Sequence, residues 1–262
     1  MGLDGLLDIG KSALSAAQQA LTVTGHNVAN INTPGYSRQE AVLTERSPVN
    51  GNPGQVGTGV QVTQIRRIVD SFINRELTAS HELLGELSIT QEQLFQIQNM
   101  FSDSNDQGIG AQMNEFFRSL QDVAASPSDV TPRSVLLAKS ALLTNSITQV
   151  AGDLSARRSS VNEQIKRTIA EINSLTSQVA ELNNKIVSVE ITGQNANDLR
   201  DQRDQAINDL AQRIDISVID KGNGALSVFV GRGQVVVEDN LSRKLVAVAS
   251  LENGGLANVQ YD

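Results

Sequence analysis

Residues 25–39 read Gly25-His-Asn-Val-Ala-Asn-Ile-Asn-Thr-Pro-Gly-Tyr-Ser-Arg-Gln39, and they follow a seven-residue apolar repeat that begins near Met1. The repeat places apolar side chains along one narrow stripe, which is typical of a helix that packs beside another helix. We therefore predict a helix over residues 1–32 that carries an assembly seam. The seam residues are Leu3, Leu7, Leu14, Leu21, Val28 and Ile31.

The repeat stops at a Thr-Pro-Gly sequence. A residue before proline avoids the helical conformation, proline cannot donate a helical hydrogen bond, and Gly35 tolerates a positive φ. We predict that the chain turns here in an elbow, which sets how the first helix leaves the next domain. The elbow residues are Asn27, Asn30, Thr33, Pro34, Gly35, Tyr36 and Arg38. For Asn30 and Thr33, helix termination by local hydrogen bonds is the simpler interpretation.

The first helix lacks an obvious partner in this chain. A helix of this length is only marginally stable alone, because its nucleation is costly. Each leucine of the seam contributes about 2 kcal/mol only after a partner removes it from water. We therefore predict that residues 1–35 form an assembly segment that is mobile in the monomer and becomes ordered on assembly.

Two further regions precede the longest helix. Residues 36–67 are predicted to form a loop with two short strands, since 39–44 and 60–65 alternate in polarity on either side of a segment rich in proline and glycine. Residues 68–214 are predicted to form a long-helix bundle domain. Its helices are expected over 68–101, 113–125 and 133–191, with Asn197 as the cap of a last helix.

The segment 133–191 has the longest periodicity in the chain. Over residues 161–189, β-branched residues dominate one seam position and leucine is frequent at the other, which is typical of an antiparallel bundle or a coiled coil. We favour an intramolecular bundle over oligomerisation, because helices on both sides can cover the seam. The predicted coiled-coil core residues are Val161, Ile165, Ile172, Leu175, Val179, Leu182, Ile186 and Val189.

After Asp215 the apolar period changes to two, with glycine-rich turns at 221–224 and 231–233. This pattern predicts short strands, which we interpret as the start of a truncated β-rich domain over 215–262. The predicted fold class is therefore mainly α: a long antiparallel helical bundle or coiled coil, a short β-hairpin region near the N-terminus, and the beginning of a β-rich domain at the C-terminus.

Composition restricts the classes of function. A net charge of −8 with a pI near 4.9 argues against general binding to nucleic acid or anionic membranes. The absence of cysteine excludes disulfides and thiolate chemistry. No segment has the roughly 20 continuous apolar residues of a membrane span, so no membrane insertion is expected. The N-terminus also lacks the basic and apolar regions of a cleaved secretory signal.

Residues that suggest chemistry have simpler explanations. His26 and His81 are isolated, and neither has the spacing of a metal-binding pair. Residues 103–108 imitate the opening of a calcium loop but lack its later ligands. The interleaved charges of residues 200–213 are interpreted as a solvated helix face. We predict no catalytic, cofactor-binding or metal-binding residue, and no enzymatic activity.

The elbow carries a family resemblance. Ala29-Asn30-x-x-Thr33-Pro34-Gly35-Tyr36 after a heptad helix resembles the signature shared by rod, hook and hook-associated proteins of the bacterial flagellum. The segments 36–39, 57–62, 65–67, 70–72 and 199–204 are similar to the hook-associated protein 1 family, the hook-filament junction proteins. The resemblance covers nearly the whole chain. Members are longer and finish with a second heptad helix beside the first, so this chain is expected to be an N-terminal portion.

The resemblance implies a structural adaptor at the distal end of the hook. Its implied partners are further copies of itself in a ring or helical assembly, the flagellar hook protein, the second junction protein and an export chaperone. Export by the flagellar type III system would place it outside the cell, in the flagellum. Another axial component, such as a rod or hook protein, is the closest alternative. A non-flagellar coiled-coil binding module and a wall hydrolase are the others.

Overall fold

The computed structural model describes residues 3–52, 54–101 and 108–262. The calcium-like residues 103–107 lie outside these ranges. The helices are α1 (Leu3–Ala29), α2 (Ser71–Met100), α3 (Ile109–Ala125), α4 (Val130–Glu190) and α5 (Asn197–Ala211). The strands are β1 (Gln39–Glu45), β2 (Val49–Asn50), β3 (Gln55–Val56), β4 (Val60–Arg67), β5 (Ile216–Asp220), β6 (Leu226–Val230), β7 (Gln234–Glu238), β8 (Leu241–Ser242), β9 (Leu245–Ala249) and β10 (Ala257–Tyr261). The predicted mainly α fold class is confirmed.

The chain divides into two compact units. Unit 1 comprises residues 1–85, 171–245 and 261–262, and unit 2 comprises residues 86–170 and 246–260. The helix α4 contributes its first part to unit 2 and its second part to unit 1. The division into 1–35, 36–67, 68–214 and 215–262 stays a prediction.

In unit 1, β1 and β4 form an antiparallel hairpin from Gln39 opposite Arg67 to Glu45 opposite Val60, with a bulge at Val42 and Leu43. Both strands lie where the alternating pattern predicts them. The intervening segment, predicted as loop, contains the two-residue ladder of β2 and β3. This hairpin is the surface on which α1 packs, since α1 contacts both β1 and β4.

The second part of α4 packs against α5 and the antiparallel sheet β5-β6-β7-β8. The Asn183 side chain donates to the backbone oxygens of Leu226 (2.8 Å) and Asp239 (2.7 Å) and accepts from Leu226 N (3.1 Å). Asn183 is 1% exposed. Because a buried amide is costly unless it is hydrogen-bonded, these bonds fix how the helix meets the sheet.

The interpretation of residues 200–213 as a solvated helix face is wrong. Asp201 and Arg203 are both buried, and Arg203 is 1% exposed. The Arg203 guanidinium donates to Asn183 Oδ1 (2.9 Å) and to the carbonyl of Gly224 (2.6 Å), so it crosslinks α5, α4 and the β5–β6 turn. Burial lowers the pKa of Arg203 to about 10, since the charged form loses its hydration.

The prediction that Asn197 caps α5 is also wrong. Ala196 occupies the cap position, and the Asn197 side chain donates instead to the carbonyl of Ile65 (2.8 Å). A long-range bond to the end of β4 has replaced the local one. Pro132 lies within the first turn of α4, two residues after Val130.

Gly85 allows α2 to approach the end of α5 closely within unit 1. A Cβ at this position would lie 2.2 Å from the carbonyl oxygen of Gln212. Nearby, the Gln212 side chain contacts His81 Nδ1 (2.9 Å), and Glu82 accepts from Ile216 N (3.0 Å). Packing against α5 therefore requires a residue without a side chain at this position of α2.

Unit 2 consists of the last part of α2, α3, the first part of α4 and residues 246–260. In the latter segment, β9 pairs with β10. The backbone N–H of Ala257 donates to Asn162 Oδ1 (2.7 Å), which holds β10 against α4. Among the described residues, none of the helices of either unit combines the length and the apolar character needed to cross a membrane.

We predict opposite effects for two glycine substitutions in helices. Gly85→Ala should destabilise the protein by about 1–3 kcal/mol, since the new methyl group meets backbone atoms that cannot move aside. Gly152→Ala in α4, where nothing lies within 4 Å, should stabilise it by up to about 1 kcal/mol through helix propensity. Urea unfolding followed by circular dichroism measures both. Equal effects of the two substitutions would contradict the close-packing assignment.

Candidate assembly surface and elbow

The helix α1 presents two different faces. Ala16 and Val23 are buried against the β1–β4 hairpin, with Gly5, Ile9 and Ser12 partly buried on the same side. The predicted seam residues lie on the opposite side, about 150° away at about 100° per residue. Their exposed fractions range from 67% for Val28 to 80% for Leu3. Ile31 lies beyond the end of the helix, in the following turn.

The docked face of α1 relies on small residues. Ser12 Oγ donates to the carbonyl of Ile9 (2.8 Å) and accepts from Val60 N (3.3 Å). Gly59 has φ +110°, and a Cβ there would lie 2.1 Å from Ser12 Oγ. The helix therefore lies close to the start of β4, while its large leucines remain exposed on the other side.

At the elbow, the side chain of Asn27 pairs with the backbone of Gln39. Asn27 Oδ1 accepts from Gln39 N (2.8 Å), and Asn27 Nδ2 donates to Gln39 O (2.8 Å). This pair closes the segment between the last turn of α1 and the first residue of β1. The connection between α1 and β1 is therefore a closed hydrogen-bonded ring of fixed length.

Tyr36 and His26 extend this hydrogen-bonded group. Because Asn27 Oδ1 is an acceptor, the Tyr36 hydroxyl must donate its proton to it (2.8 Å). The hydroxyl then accepts from His26 Nδ1 at 3.0 Å, so His26 carries a proton on Nδ1. The rings of His26 and Tyr36 meet edge to face at 5.4 Å. His26 thus supports the elbow.

Asn30 and Thr33 make the local bonds that the simpler interpretation describes. Asn30 Nδ2 donates to the carbonyl of His26 (3.0 Å), and Thr33 Oγ1 donates to Asn30 Oδ1 (3.2 Å). Gly35 has φ +77°, a conformation that favours glycine. Pro34 and Arg38 are exposed, and the Arg38 carbonyl accepts from Ile68 N (2.8 Å).

The elbow is attached to α5 through Asp201. Asp201 Oδ2 accepts from the backbone N–H of Ser37 (2.8 Å), and Asp201 Oδ1 accepts from Arg67 Nη1 (2.9 Å). Arg67 also donates to Asp204 Oδ2 (2.6 Å). The Asp201 and Arg67 side chains are only 7% and 15% exposed. One carboxylate therefore holds both the elbow and the last residue of β4.

Further polar contacts support this attachment. Gln39 Nε2 donates to Asp198 Oδ1 (2.6 Å), and the elbow and α5 line a cleft of 450 Å³. Burial, with the nearby charges of Asp198 and Asp201, raises the pKa of Tyr36. The phenol therefore stays neutral and keeps donating to Asn27.

The connection between α4 and α5 is held by an ion pair. Arg200 donates to Glu190 through both Nε (2.6 Å) and Nη2 (2.8 Å). The hydrogen bond from Arg200 lowers the pKa of Glu190. This two-point contact orients the first turn of α5, which carries the residues that receive the elbow.

The predicted coiled-coil core residues lie in different surroundings along α4. Ile172, Val179, Leu182 and Ile186 are buried in unit 1, and Leu175 and Val189 are partly buried there. Val161 is partly buried and Ile165 is 37% exposed in unit 2. In unit 1, α4 packs against α5 and the β5-β6-β7-β8 sheet.

The sequence did not predict which residues hold the elbow in place. Gln39, Arg67, Asp198 and Asp201 make its principal contacts, but none is among the predicted site residues. A signal was present, since residues 199–204 belong to a segment that resembles the flagellar family. Among the described residues, no group of three His, Asp or Glu side chains is placed to hold a metal ion.

The exposed apolar face, the elbow and the long helices are the features of one class, a structural protein built on long helices. Residues 7–36 match the family model described as "Flagella basal body rod protein". Residues 94–262, more than half of the chain, match the family model described as "Flagellar hook-associated protein FlgK helical domain". The chain belongs to this flagellar hook-associated protein family, which is a family of structural proteins.

Individual relatives agree with the family assignment. The chain is 31% identical over 261 residues to flagellar hook-associated protein 1 of Escherichia coli K12, covering 99% of this chain and 48% of that protein. It is 33% identical over 239 residues to the protein of the same name from Bacillus subtilis 168, covering 88% and 47%. The chain thus spans about half the length of the curated relatives it matches.

A solved structure is also similar. The flagellar hook junction protein FlgK from Burkholderia pseudomallei superposes with a TM-score of 0.64 at 32% sequence identity. The match covers 71% of this chain and 33% of that one. At this identity and TM-score, the similarity supports both the fold and the family.

We predict that Asp201→Asn destabilises unit 1 by about 1–3 kcal/mol, because it removes the charge that Arg67 and the Ser37 N–H share. Asp215→Asn is the matched control, since Asp215 is exposed and its loss should change stability by less than about 0.5 kcal/mol. Urea unfolding measures both variants. A double-mutant cycle with Arg67→Ala should show coupling, and additive effects would contradict the assigned contact.

The Glu190–Arg200 pair predicts a pH dependence. The pKa of Glu190 is lowered in the folded chain, so the pair stabilises the protein above the ordinary glutamate pKa. This contribution is lost as the pH falls through the lowered value. The stability difference between the wild type and Glu190→Gln should therefore be largest at neutral pH and shrink in acid. Urea unfolding across this range tests it, and a constant difference would contradict it.

Proposed function

We propose that this chain is the N-terminal part of a structural adaptor that joins the hook to the filament of the bacterial flagellum. The single observation that carries the proposal is the apolar stripe of α1, whose leucines are 68–80% exposed while the opposite face is docked. Membership of the hook-associated family and the similarity to the hook junction protein of Burkholderia pseudomallei support the location at the hook junction.

The stripe provides a free energy for assembly. Each fully buried leucine contributes about 2 kcal/mol relative to exposure, so a neighbouring helix that covers several of them gains enough to offset the ordering of α1. We propose that Leu3, Leu7, Leu14, Leu21, Val28 and Ile31 form the assembly seam. The neighbouring helices belong to other subunits or to the remaining part of the full protein.

The elbow determines the direction of the seam. The Asn27–Gln39 pair, the Tyr36 hydroxyl and the Asp201–Ser37 bond link the end of α1 to the hairpin and α5. We propose that Asn27, Asn30, Thr33, Pro34, Gly35, Tyr36 and Arg38 transmit the orientation of α1 to the rest of unit 1. Repeated identical contacts between subunits then generate a ring or a helical assembly.

The proposed partners are further copies of this protein, the hook protein and the second junction protein. We also propose an export chaperone and passage through the flagellar type III exporter, which would place the mature protein outside the cell. The resemblance of the N-terminal segment to axial flagellar proteins supports this route. Mobility of residues 1–35 before assembly is part of the same proposal and is tested by amide exchange in the dilute monomer.

A rod or hook component is the second candidate, because residues 7–36 match the rod protein model. The helical domain match over residues 94–262 favours the junction protein. A non-flagellar coiled-coil module and a wall hydrolase receive no support from these similarities.

Deletion of the complete gene separates the two flagellar functions. Electron microscopy of the deleted cells should show hooks without filaments, and the medium should contain unpolymerised filament protein. Normal filaments would reject the adaptor function. Absent hooks would assign the protein to the rod or hook instead.

Charge introduced into the seam should block assembly without unfolding the chain. Leu7→Glu combined with Leu14→Glu in the full-length protein should abolish filaments in a complementation assay, because buried unpaired carboxylates are costly. The control Ser15→Glu places the same charge on the flank of α1, about 100° from both faces, and should restore filaments. Thermal unfolding of both proteins should match the wild type. Filaments with the double variant would contradict the seam.

The elbow should matter more for assembly than for export. Gly35→Val places a β-branched residue at φ +77°, where a Cβ would also lie 2.9 Å from Gln205 Oε1. We expect the secreted amount of the protein to stay near the wild-type level while filament attachment falls. Immunoblots of the medium and counts of filaments per cell measure the two effects. An equal loss of both would contradict a role specific to assembly.

A further inference from the structure

Three asparagines of this chain are each followed directly by glycine. The pairs are Asn50-Gly51, Asn223-Gly224 and Asn253-Gly254. In such a pair, the backbone nitrogen of the glycine can attack the side-chain carbonyl carbon of the asparagine, because glycine has no side chain to hinder the approach. The product is a five-membered succinimide ring. Whether a pair reacts in the folded chain therefore depends on how the structure holds these two groups.

In two of the pairs, the attacking nitrogen is engaged in a backbone hydrogen bond. Gly51 N donates to the carbonyl of Gly54 at 3.0 Å, and Gly254 N donates to the carbonyl of Leu251 at 3.1 Å. The nitrogen must lose its proton in order to attack, and a carbonyl acceptor keeps that proton in place. Each of these bonds must therefore break before its pair can react, which slows the reaction.

The third pair lies in the turn between β5 and β6, where the attacking nitrogen has no such bond. Among the described residues, Gly224 N has no hydrogen-bond acceptor. The side chain of Asn223 is exposed, and its nitrogen, which leaves as ammonia, has no partner within the same ranges. Of the three attacking nitrogens, Gly224 N alone can react without first breaking a hydrogen bond.

The side-chain oxygen of Asn223 is held in a position that favours the attack. Asn223 Oδ1 accepts from Ala225 N at 3.1 Å. This bond closes a ring that contains both the attacking nitrogen and the carbon that it attacks, so the two atoms stay within one tight turn. Negative charge develops on Oδ1 during the attack, and a backbone N–H that is directed at this oxygen stabilises it.

The fold requires the glycine on which this reactivity depends. Gly224 has φ +91°, and a Cβ there would lie 2.6 Å from Glu190 Oε2. The Gly224 carbonyl also accepts from the buried Arg203 guanidinium at 2.6 Å. Backbone conformation and packing thus both exclude the larger residues that would slow the ring closure.

We propose that Asn223 is a site of spontaneous deamidation in this chain, and that its isoaspartate product weakens the contact between Gly224 and Arg203. All the reacting atoms except those of water belong to one turn of unit 1. No partner and no other part of the protein takes part in the reaction, and the inference does not depend on the position of the protein in the flagellum.

The reaction consumes one water molecule and needs no oxidant or reductant. Gly224 N bonds to Asn223 Cγ, the Cγ–Nδ2 bond breaks, and ammonia leaves with the proton of Gly224 N. Water then opens the succinimide. Cleavage of the new N–Cγ bond gives aspartate, and cleavage of the original bond between Gly224 N and the backbone carbon of Asn223 gives isoaspartate. In both products, the side-chain amide has become a carboxylate and an ammonium ion.

The two products should affect the turn differently. Isoaspartate adds one carbon to the backbone before Gly224, so the Gly224 carbonyl moves relative to the Arg203 guanidinium. Arg203 is 1% exposed, and its Nε has no partner among the described residues. Loss of a further acceptor from this buried charge is destabilising. Aspartate keeps the ordinary backbone and an oxygen for Ala225 N, so it should leave the turn intact.

Mass spectrometry of the aged chain tests the site. The chain is incubated at neutral pH in water labelled with heavy oxygen, either folded or in guanidinium, and then digested in ordinary water with trypsin. The three asparagines fall in separate peptides, 47–66, 222–232 and 245–262. The label enters the new carboxylate and so identifies deamidation that occurred during the incubation.

The comparison of the folded and the unfolded rate removes the effect of the local sequence. The ratio of these rates should be about two- to tenfold higher for Asn223 than for Asn50 or Asn253, because a backbone hydrogen bond must break at each of the other two sites. A ratio for Asn223 that is equal to or below the other two would overturn the proposed site.

The variant Asn223→Ser is the matched control for the effect on the turn. The serine hydroxyl can accept from Ala225 N, but serine has no amide to lose. The Tm of the wild type should fall during ageing in step with its isoaspartate content, whereas the variant should keep its initial Tm. A Tm that falls equally in both proteins, or in neither, would overturn the proposed effect on the contact between Gly224 and Arg203.

Discussion

The carboxylate of Asp201 is the contact on which the arrangement of unit 1 depends. Its two oxygens hold different parts of the chain: the backbone after the elbow at Ser37 and the guanidinium at the end of β4, Arg67. Both contacts are largely removed from water. In the described structure, this short side chain therefore helps to set the direction of α1, because it fixes the elbow against α5 and the end of β4. Loss of either contact would leave the elbow and the end of β4 no longer joined through Asp201.

The two faces of α1 differ in composition, and the proposed assembly gives each face its own role. The docked face uses small residues such as Ala16 and Ser12, which allow close approach but bury little apolar area. The opposite face holds the large leucines, which gain most from burial. In the proposed assembly, a neighbouring helix would therefore bury more apolar area on α1 than the hairpin does.

Spacing alone is sufficient to predict some of these features. The end of the first helix and the strands on either side of residues 47–59 follow from local periodicity and from proline and glycine. The burial of Asp201 and Arg203 does not follow, because interleaved charges on a helix usually face solvent, and their partners lie far away in sequence at Arg67, Asn183 and Gly224. The need for glycine at position 85 does not follow from spacing either. The backbone of Gln212, which leaves no room for a side chain there, lies far away in the sequence.

The closed ring between Asn27 and Gln39 has a consequence for how this family can vary in length. The ring joins the side chain of Asn27 to the backbone of Gln39, twelve residues later in the chain. One inserted residue between them would therefore move Tyr36 away from its hydrogen-bond partners. The described residues between β1 and β4 are mostly exposed, and loop closure costs little for each added residue. Homologous chains should therefore keep a constant count through the elbow and accumulate their insertions at the tip of the hairpin.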